Sequence, residues 1–159
     1  MNNNRGMLLE TIINKTIKQY KENDVAIFHK KTLDIKFSNV NAKNKIDNGV
    51  IMSKSTVDYY GIYNGSFVAF EAKSTESIIV PKNNFKLHQH NYLKTIKKHG
   101  GIAFYIILFK TTNEFYLIDV TLVDYNKKLI TLEFVRKNGC SLDLIFPGVI
   151  DFISSILFN

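Results

Sequence analysis

A chain of 159 residues with 45% hydrophobic and 22% charged side chains has single-domain length and is too apolar for disorder. Its formal net charge of +7 points to an anionic partner and says nothing about fold. The lone Cys140 excludes an internal disulfide and a cysteine-based zinc site, no apolar run reaches the ~18 to 20 residues of a membrane span, and the N-terminus lacks the apolar core of a signal peptide, so a reducing cytoplasm is the expected location.

After a polar start over 1–4, a first helix is expected from about Gly6 to Tyr20. Leu8, Leu9, Ile12, Ile13, Thr16, Ile17 and Tyr20 make one apolar stripe there, with Glu10 at its border. Val25 to Phe28 reads as a short buried strand and Leu33, Ile35 and Phe37 alternate as a half-buried one, with His29-Lys30-Lys31 as a basic turn between them. Composition then shifts. The stretch 39–48, NVNAKNKIDN, is too polar to join a core, and a long loop without secondary structure in a compact domain is usually functional or disordered. The apolar Val50, Ile51 and Met52 follow it.

The stretch TVDYYGIYNGSFVAFEAK, 56–73, carries the strongest local signal. Asn64-Gly65 fits a type I′ hairpin turn, because both of its central positions need positive φ. Counting outward from Tyr63 facing Ser66 puts Ile62 opposite Phe67, Tyr60 opposite Ala69, Asp58 opposite Glu71 and Thr56 opposite Lys73. Like charges in direct cross-strand relation destabilise a sheet, so two carboxylates there require a compensating cation. Mg²⁺ suits them, a hard cation that takes one or two carboxylates and completes its octahedron with waters and phosphate oxygens. With Lys73 beside it, the constellation reads as a site for cutting phosphodiesters. The other reading of the same residues is a solvated strand face held by a surface ion pair; the apolar run Phe67-Val68-Ala69-Phe70 leading into Glu71 speaks against it.

Further on, Ile78 to Val80 reads as a strand stopped by Pro81. A second helix is expected from about Phe85 to His99, capped by Asn83 or Asn84 and ended by Gly100-Gly101, with Gln89 inside its apolar stripe. His88 and His90 are two apart on a helix and do not face each other, so no histidine metal cluster is expected. Ile102 to Phe109 has the continuous apolar character of a central strand covered on both faces, and Phe115 to Val120 returns beside it. Leu129 to Val135 alternates weakly as a further strand, Arg136 to Gly139 reads as a turn, and Val149 to Phe158 as the segment that closes the core. The expected fold class is α/β, a mixed sheet flanked by helices.

Asp58, followed after twelve residues by Glu71-Ala72-Lys73, resembles the D…(D/E)xK core of the restriction-endonuclease-like nucleases. With Arg5-Gly6, Leu9-Glu10, His29-Lys30-Lys31, Ser55-Thr56-Val57-Asp58-Tyr59, Phe70-Glu71-Ala72-Lys73, Phe85 and His88-Gln89 in that order, the chain is similar to the RecU family of Holliday junction resolvases over most of its length. The resemblance implies a single nuclease domain over 1–159 with a restriction-endonuclease-like core and a stalk inserted at about 36–54. It implies an Mg²⁺-dependent endonuclease, with Mn²⁺ as the alternative, that cuts four-way DNA junctions symmetrically in recombination and repair. It also implies a homodimer, and a recombinase on DNA as a further partner. In that reading Asp58 and Glu71 hold the metal, Thr56 and Gln89 complete its surroundings, Lys73 stabilises the transition state, and Glu10 assists. Arg5, Lys30, Lys31, Lys36, Lys43, Lys45 and Lys54 contact phosphates, and Val50, Ile51 and Met52 act as a wedge against unstacked bases. Blander roles stand beside these: a helix-surface Glu10, a satisfied core Gln89, and a lysine-rich loop next to an apolar dimer contact. The stalk is poorer in aromatics and arginine than the family tends to have. Two other functions remain open from the sequence, a same-fold nuclease for ordinary duplex and a DNA-binding module without catalysis.

Overall fold

Which apolar runs can be covered on both faces decides how the strands are ordered. The computed structural model describes residues 7–40, 43, 46–47, 49–52, 56–126 and 129–156. In chain order the elements are α1 (Met7–Glu22), β1 (Ile27–Lys30), β2 (Ile35–Lys36), β3 (Asn39–Val40), β4 (Ile46–Asp47), β5 (Val50–Ile51), β6 (Tyr59–Tyr63), β7 (Ser66–Thr75), β8 (Ile79–Pro81), α2 (Leu87–Lys98), β9 (Ile102–Phe109), β10 (Glu114–Asp119), β11 (Leu129–Thr131), α3 (Leu132–Asn138), β12 (Cys140–Leu142), β13 (Leu144–Ile145), β14 (Val149–Ile150) and α4 (Phe152–Ile156).

A six-stranded mixed sheet runs β1-β6-β7-β9-β10-β12, with β7 and β9 parallel and the other neighbours antiparallel. Side chains alternate faces along a strand, and β9 shows the consequence. Phe104, Ile106 and Leu108 pack into one layer with Leu9, Ile13 and Phe152 of α1 and α4. Ala103, Tyr105, Ile107 and Phe109 pack into the other with Leu93 of α2 and Val135 of α3. The helices therefore flank both faces of a central strand, as the apolar run 102–109 predicts. The layer under α1 is closed by polar ties. Tyr20 donates to Asp151 Oδ1 at 2.7 Å, and the Ile150 amide donates to Thr16 Oγ1 at 3.0 Å.

The β6–β7 hairpin has the register expected from its turn. Asn64 and Gly65 sit at φ +46° and +77°, and Tyr63 faces Ser66, Ile62 faces Phe67 and Tyr60 faces Ala69. Gly61 is required by close approach, since a Cβ there would lie 2.1 Å from the Ile27 carbonyl oxygen of edge strand β1. The ladder stops at Tyr59 opposite Phe70, so neither Asp58 with Glu71 nor Thr56 with Lys73 forms the rung that the sequence predicts.

Other expectations change too. The first buried strand shifts to Ile27–Lys30, so His29 and Lys30 belong to β1 and not to a turn, while Val25 is exposed. Leu33, Ile35 and Phe37 are exposed, because no layer covers them. Within the stretch 39–48, β3 pairs with β4, and on either side of it β2 pairs with β5, both in two-rung antiparallel ladders separate from the main sheet. The second helix begins at Leu87, after a 3-10 turn over Lys82–Asn84, and neither asparagine caps it. Leu129 to Val135 is a three-residue strand that gives way to α3, where Thr131 Oγ1 accepts the Phe134 amide as an N-cap. Arg136 to Asn138 are therefore the last turn of a helix.

Candidate active site

The site grows from the C-terminal half of β7. On that strand Phe67, Ala69, Glu71 and Lys73 share the face toward α2, while Val68 and Phe70 point into the layer under α1. Glu71 lies beside Tyr105 of the parallel strand β9 and is fully buried, 0% exposed. One of its oxygens, Oε2, accepts from Lys73 Nζ at 2.5 Å. The other, Oε1, is buried without a hydrogen-bond partner among the described residues. Burial pushes the Glu71 carboxyl up to about 8; the Lys73 ammonium pulls it down and Asp58 adds to the rise. A buried carboxylate with an orphaned oxygen is expensive, which is why the arrangement reads as prepared for a cation.

Asp58 reaches the same place by a different route from cross-strand pairing. The chain leaves the ladder after Tyr59, and Asp58 Oδ2 accepts the Ala72 amide at 3.0 Å while its backbone carbonyl accepts the Lys31 amide at 2.8 Å. The carboxylate thus takes the place that a strand carbonyl would hold and pins itself one residue from Glu71. Gln89 completes the group. It is buried on the first turns of α2, and its Oε1 lies 3.4 Å from Lys73 Nζ. Lys73 is held between two oxygens, from Glu71 and Gln89, with its side chain 13% exposed.

The remaining predicted residues are dispersed. Thr56 is not paired with Lys73; it lies on the wall of a cleft of about 350 Å³ together with Lys30, Lys31, Tyr60, Phe67 and Tyr92. Glu10 on α1 is ion-paired to Lys30 at 2.7 Å, with both side chains about half exposed. Its charge reaches Tyr59, whose hydroxyl burial keeps well above the usual range, with Glu10 and Asp58 adding to the rise. Lys36 and Lys43 are exposed in the β2–β5 region. Arg5, Lys45 and Lys54 lie outside the described residues.

Two residues at the site escape sequence reasoning. Tyr105 neighbours Glu71, and its hydroxyl lies 2.9 Å from Nδ1 of the buried His90. Burial raises the tyrosine and lowers the histidine, so His90 is a neutral partner of a core tyrosine. Only the β7–β9 pairing reveals this, and a parallel register follows from an intervening crossover, not from a turn. Among the described residues no three His, Cys, Asp or Glu side chains are grouped to hold a metal; the acidic groups brought together at this site are the pair Asp58 and Glu71.

A sequence profile for RecU, Recombination protein U, matches residues 4–157. The chain belongs to the RecU family. It is 42% identical over 151 residues to the Holliday junction resolvase RecU of Mycoplasmopsis pulmonis (strain UAB CTIP), covering 94% of this chain and 92% of that protein. It is 34% identical over 166 residues to the Holliday junction resolvase RecU of Geobacillus kaustophilus (strain HTA426), covering 96% and 83%. The fold is similar to that of Archaeoglobus fulgidus Hjc, a Holliday junction resolvase from an archaeal hyperthermophile, with a TM-score of 0.54 at 10% identity over 83% of this chain and 94% of that one. The core is thus the mixed α/β sheet of that resolvase fold, and the RecU relatives align along nearly the whole chain.

Proposed function

We propose that the protein is an endonuclease that resolves four-way DNA junctions, in keeping with the name Holliday junction resolvase that its RecU relatives carry, and that it does so by metal-dependent hydrolysis of phosphodiesters. The observation that carries the reading is the buried Glu71, with one oxygen on Lys73 and the other unpartnered, beside Asp58.

Asp58 and Glu71 would hold Mg²⁺, or Mn²⁺ in its place, with Gln89 and Thr56 around it. Once bound, such an ion polarises a phosphoryl oxygen and lowers the pKa of a water to make a nucleophile. The protein's own groups do the rest. The Ala72 amide fixes one Asp58 oxygen and so aims the other. Lys73, oriented by Glu71 and Gln89, donates to the phosphoryl oxygens as negative charge develops on them. Burial of Glu71 under α2 keeps bulk water from its carboxylate. Glu10 assists from α1 through its pairing with Lys30.

The β2–β5 region is proposed as a stalk within one nuclease domain. Arg5, Lys30, Lys31, Lys36, Lys43, Lys45 and Lys54 would meet backbone phosphates, and Val50, Ile51 and Met52, exposed by 62%, 60% and 61%, would press against unstacked bases at the crossover. Cutting two strands of like polarity symmetrically calls for a two-fold homodimer with one site per subunit. Such an enzyme works on chromosomal DNA in the cytoplasm, where a recombinase is a natural companion.

The test is cleavage of a synthetic mobile junction against matched linear duplex, with and without divalent ion. Symmetric nicks about the crossover, only with metal and not in Lys73→Ala, support the reading. Equal cutting of linear duplex would turn it toward an ordinary duplex nuclease, and junction binding without any metal-dependent nick toward a non-catalytic module.

A further inference from the structure

The cleft beside the active site has the makings of a base pocket. It lies on the sheet face that carries Glu71, where β1, β6 and β7 are left uncovered by α2. Tyr60 and Phe67 stand there with ring centroids 6.3 Å apart at 26°, and His29 adjoins Tyr60 at 5.9 Å. Tyr60 is 37% and Phe67 44% exposed. Stacked aromatics left open to solvent are unusual beside a fully packed core, and their position is tied to the chemistry by register. Tyr60 faces Ala69, two residues before Glu71, and Phe67 is four residues before it. At about 3.3 Å per residue these rings lie about 7 and 13 Å along the sheet from Glu71. A strand whose backbone passes the carboxylates would bring a nearby base over them.

The walls suit a nucleotide better than a protein surface. Lys30 and Lys31 line one side and Tyr92 another, one turn of α2 beyond Gln89, and Thr32, Asp34 and Thr56 supply hydrogen-bonding groups. A volume of about 350 Å³ is at the small end of ligand pockets, which run from about 300 to 1,000 Å³, and admits one nucleobase with its sugar.

We propose that this cleft receives one unstacked base of the cleaved strand, flanking the scissile phosphate. The base stacks on Tyr60 and Phe67, and the lysines hold its phosphate. Stacking of this kind tolerates every base, so any sequence preference comes from the hydroxyl and carboxylate groups at the wall. Enzymes that act on DNA gain access and selectivity by taking a base out of the stack, most readily where pairing is already broken, as it is at a junction centre. The inference rests on the junction-cleaving reading, but not on the stalk.

The experiment is cleavage mapping on a mobile junction with wild-type protein, Tyr60→Ala, Tyr60→Phe and Phe67→Ala, together with substrates carrying a single abasic site walked through the positions flanking the cut. For wild type, an abasic site at one flanking position should lower the cleavage rate about tenfold. Tyr60→Ala should show the same loss on intact DNA and no further loss on the abasic substrate, with Tyr60→Phe near wild type. Insensitivity of the wild type to abasic sites at every flanking position overturns the proposal. So does a change from dimer to monomer in Tyr60→Ala or Phe67→Ala on size exclusion, which would make this face a subunit contact. If the wild type cuts linear duplex and not junctions, the junction reading fails by itself and the abasic walk is read on the duplex. Both rings are partly exposed, so truncation should leave folding intact; a thermal melt confirms it, and Phe67→Ala, expected to show the same loss, carries the test if Tyr60→Ala unfolds.

Discussion

Two antiparallel ribbons in this molecule have alternating apolar residues, and they meet opposite fates. In β6–β7, alternation puts Val68 and Phe70 under α1 and Ala69 under α2, so the strand is covered on both sides and Glu71 goes down with its neighbours. Around β2–β5, Leu33, Ile35 and Phe37 alternate as well and face a strand with the apolar Val50 and Ile51, yet none of them joins either core cluster and all are exposed. The pattern alone sets which residues share a face; burial depends on whether another layer arrives. A buried ribbon can hold a carboxylate whose charge must be answered, whereas an exposed one can offer only surface to a partner.

The largest effects should follow from breaking the buried ribbon's charge arrangement. Asp58→Ala or Glu71→Ala should reduce cleavage by about 10³-fold or more and Lys73→Ala by about 10²- to 10³-fold, in single-turnover assays where junction binding is retained. Gly61→Ala should destabilise the fold by about 2 to 3 kcal/mol, because the added methyl meets the β1 backbone; denaturant unfolding measures it. The exposed ribbon should respond the other way. Val50→Ser with Ile51→Ser should leave stability within about 0.5 kcal/mol and lower the preference for junction over duplex about tenfold, read in competition binding. A large loss of stability there would erase the contrast between the ribbons.

A smaller effect concerns pH. The Glu71 carboxyl is raised from its ordinary 4.5 to about 8 by burial, so the folded state holds a proton that the unfolded chain has released. That stability is fully present below about 4.5, is eroded as pH rises, and is gone above about 8. Without divalent ions the melting temperature should therefore fall between those limits, and Glu71→Gln should flatten the decline. Smallest of all, Lys30→Ala should change stability by about 0.2 to 1 kcal/mol, since its pair with Glu10 is half exposed.

Much of the site is legible in the sequence because one turn determines it. Asn64-Gly65 sets the register from Tyr63 to Tyr59, and that register aims Glu71 and Lys73 at α2. Where a side chain replaces backbone, the counting fails: Asp58 meets β7 through the Ala72 amide and Thr56 falls onto the cleft wall, although the pattern had both in the ladder. Tyr105 and His90 were hidden because a parallel neighbour is chosen by a crossover through α2. At Leu129 to Val135 the alternation was genuine for three residues, after which the Thr131 cap started a helix. The exposed ribbon was misread for the opposite reason, since Leu33, Ile35 and Phe37 have the right period and nothing to pack against.

The most direct measurement is the melting temperature of wild-type protein and Glu71→Gln titrated with Mg²⁺ in the absence of DNA. An ion held by Asp58 and Glu71 raises the wild-type melting temperature as its concentration passes the dissociation constant and leaves Glu71→Gln unmoved. Equal stabilisation of both proteins, or of neither, would contradict a metal site built on the buried glutamate.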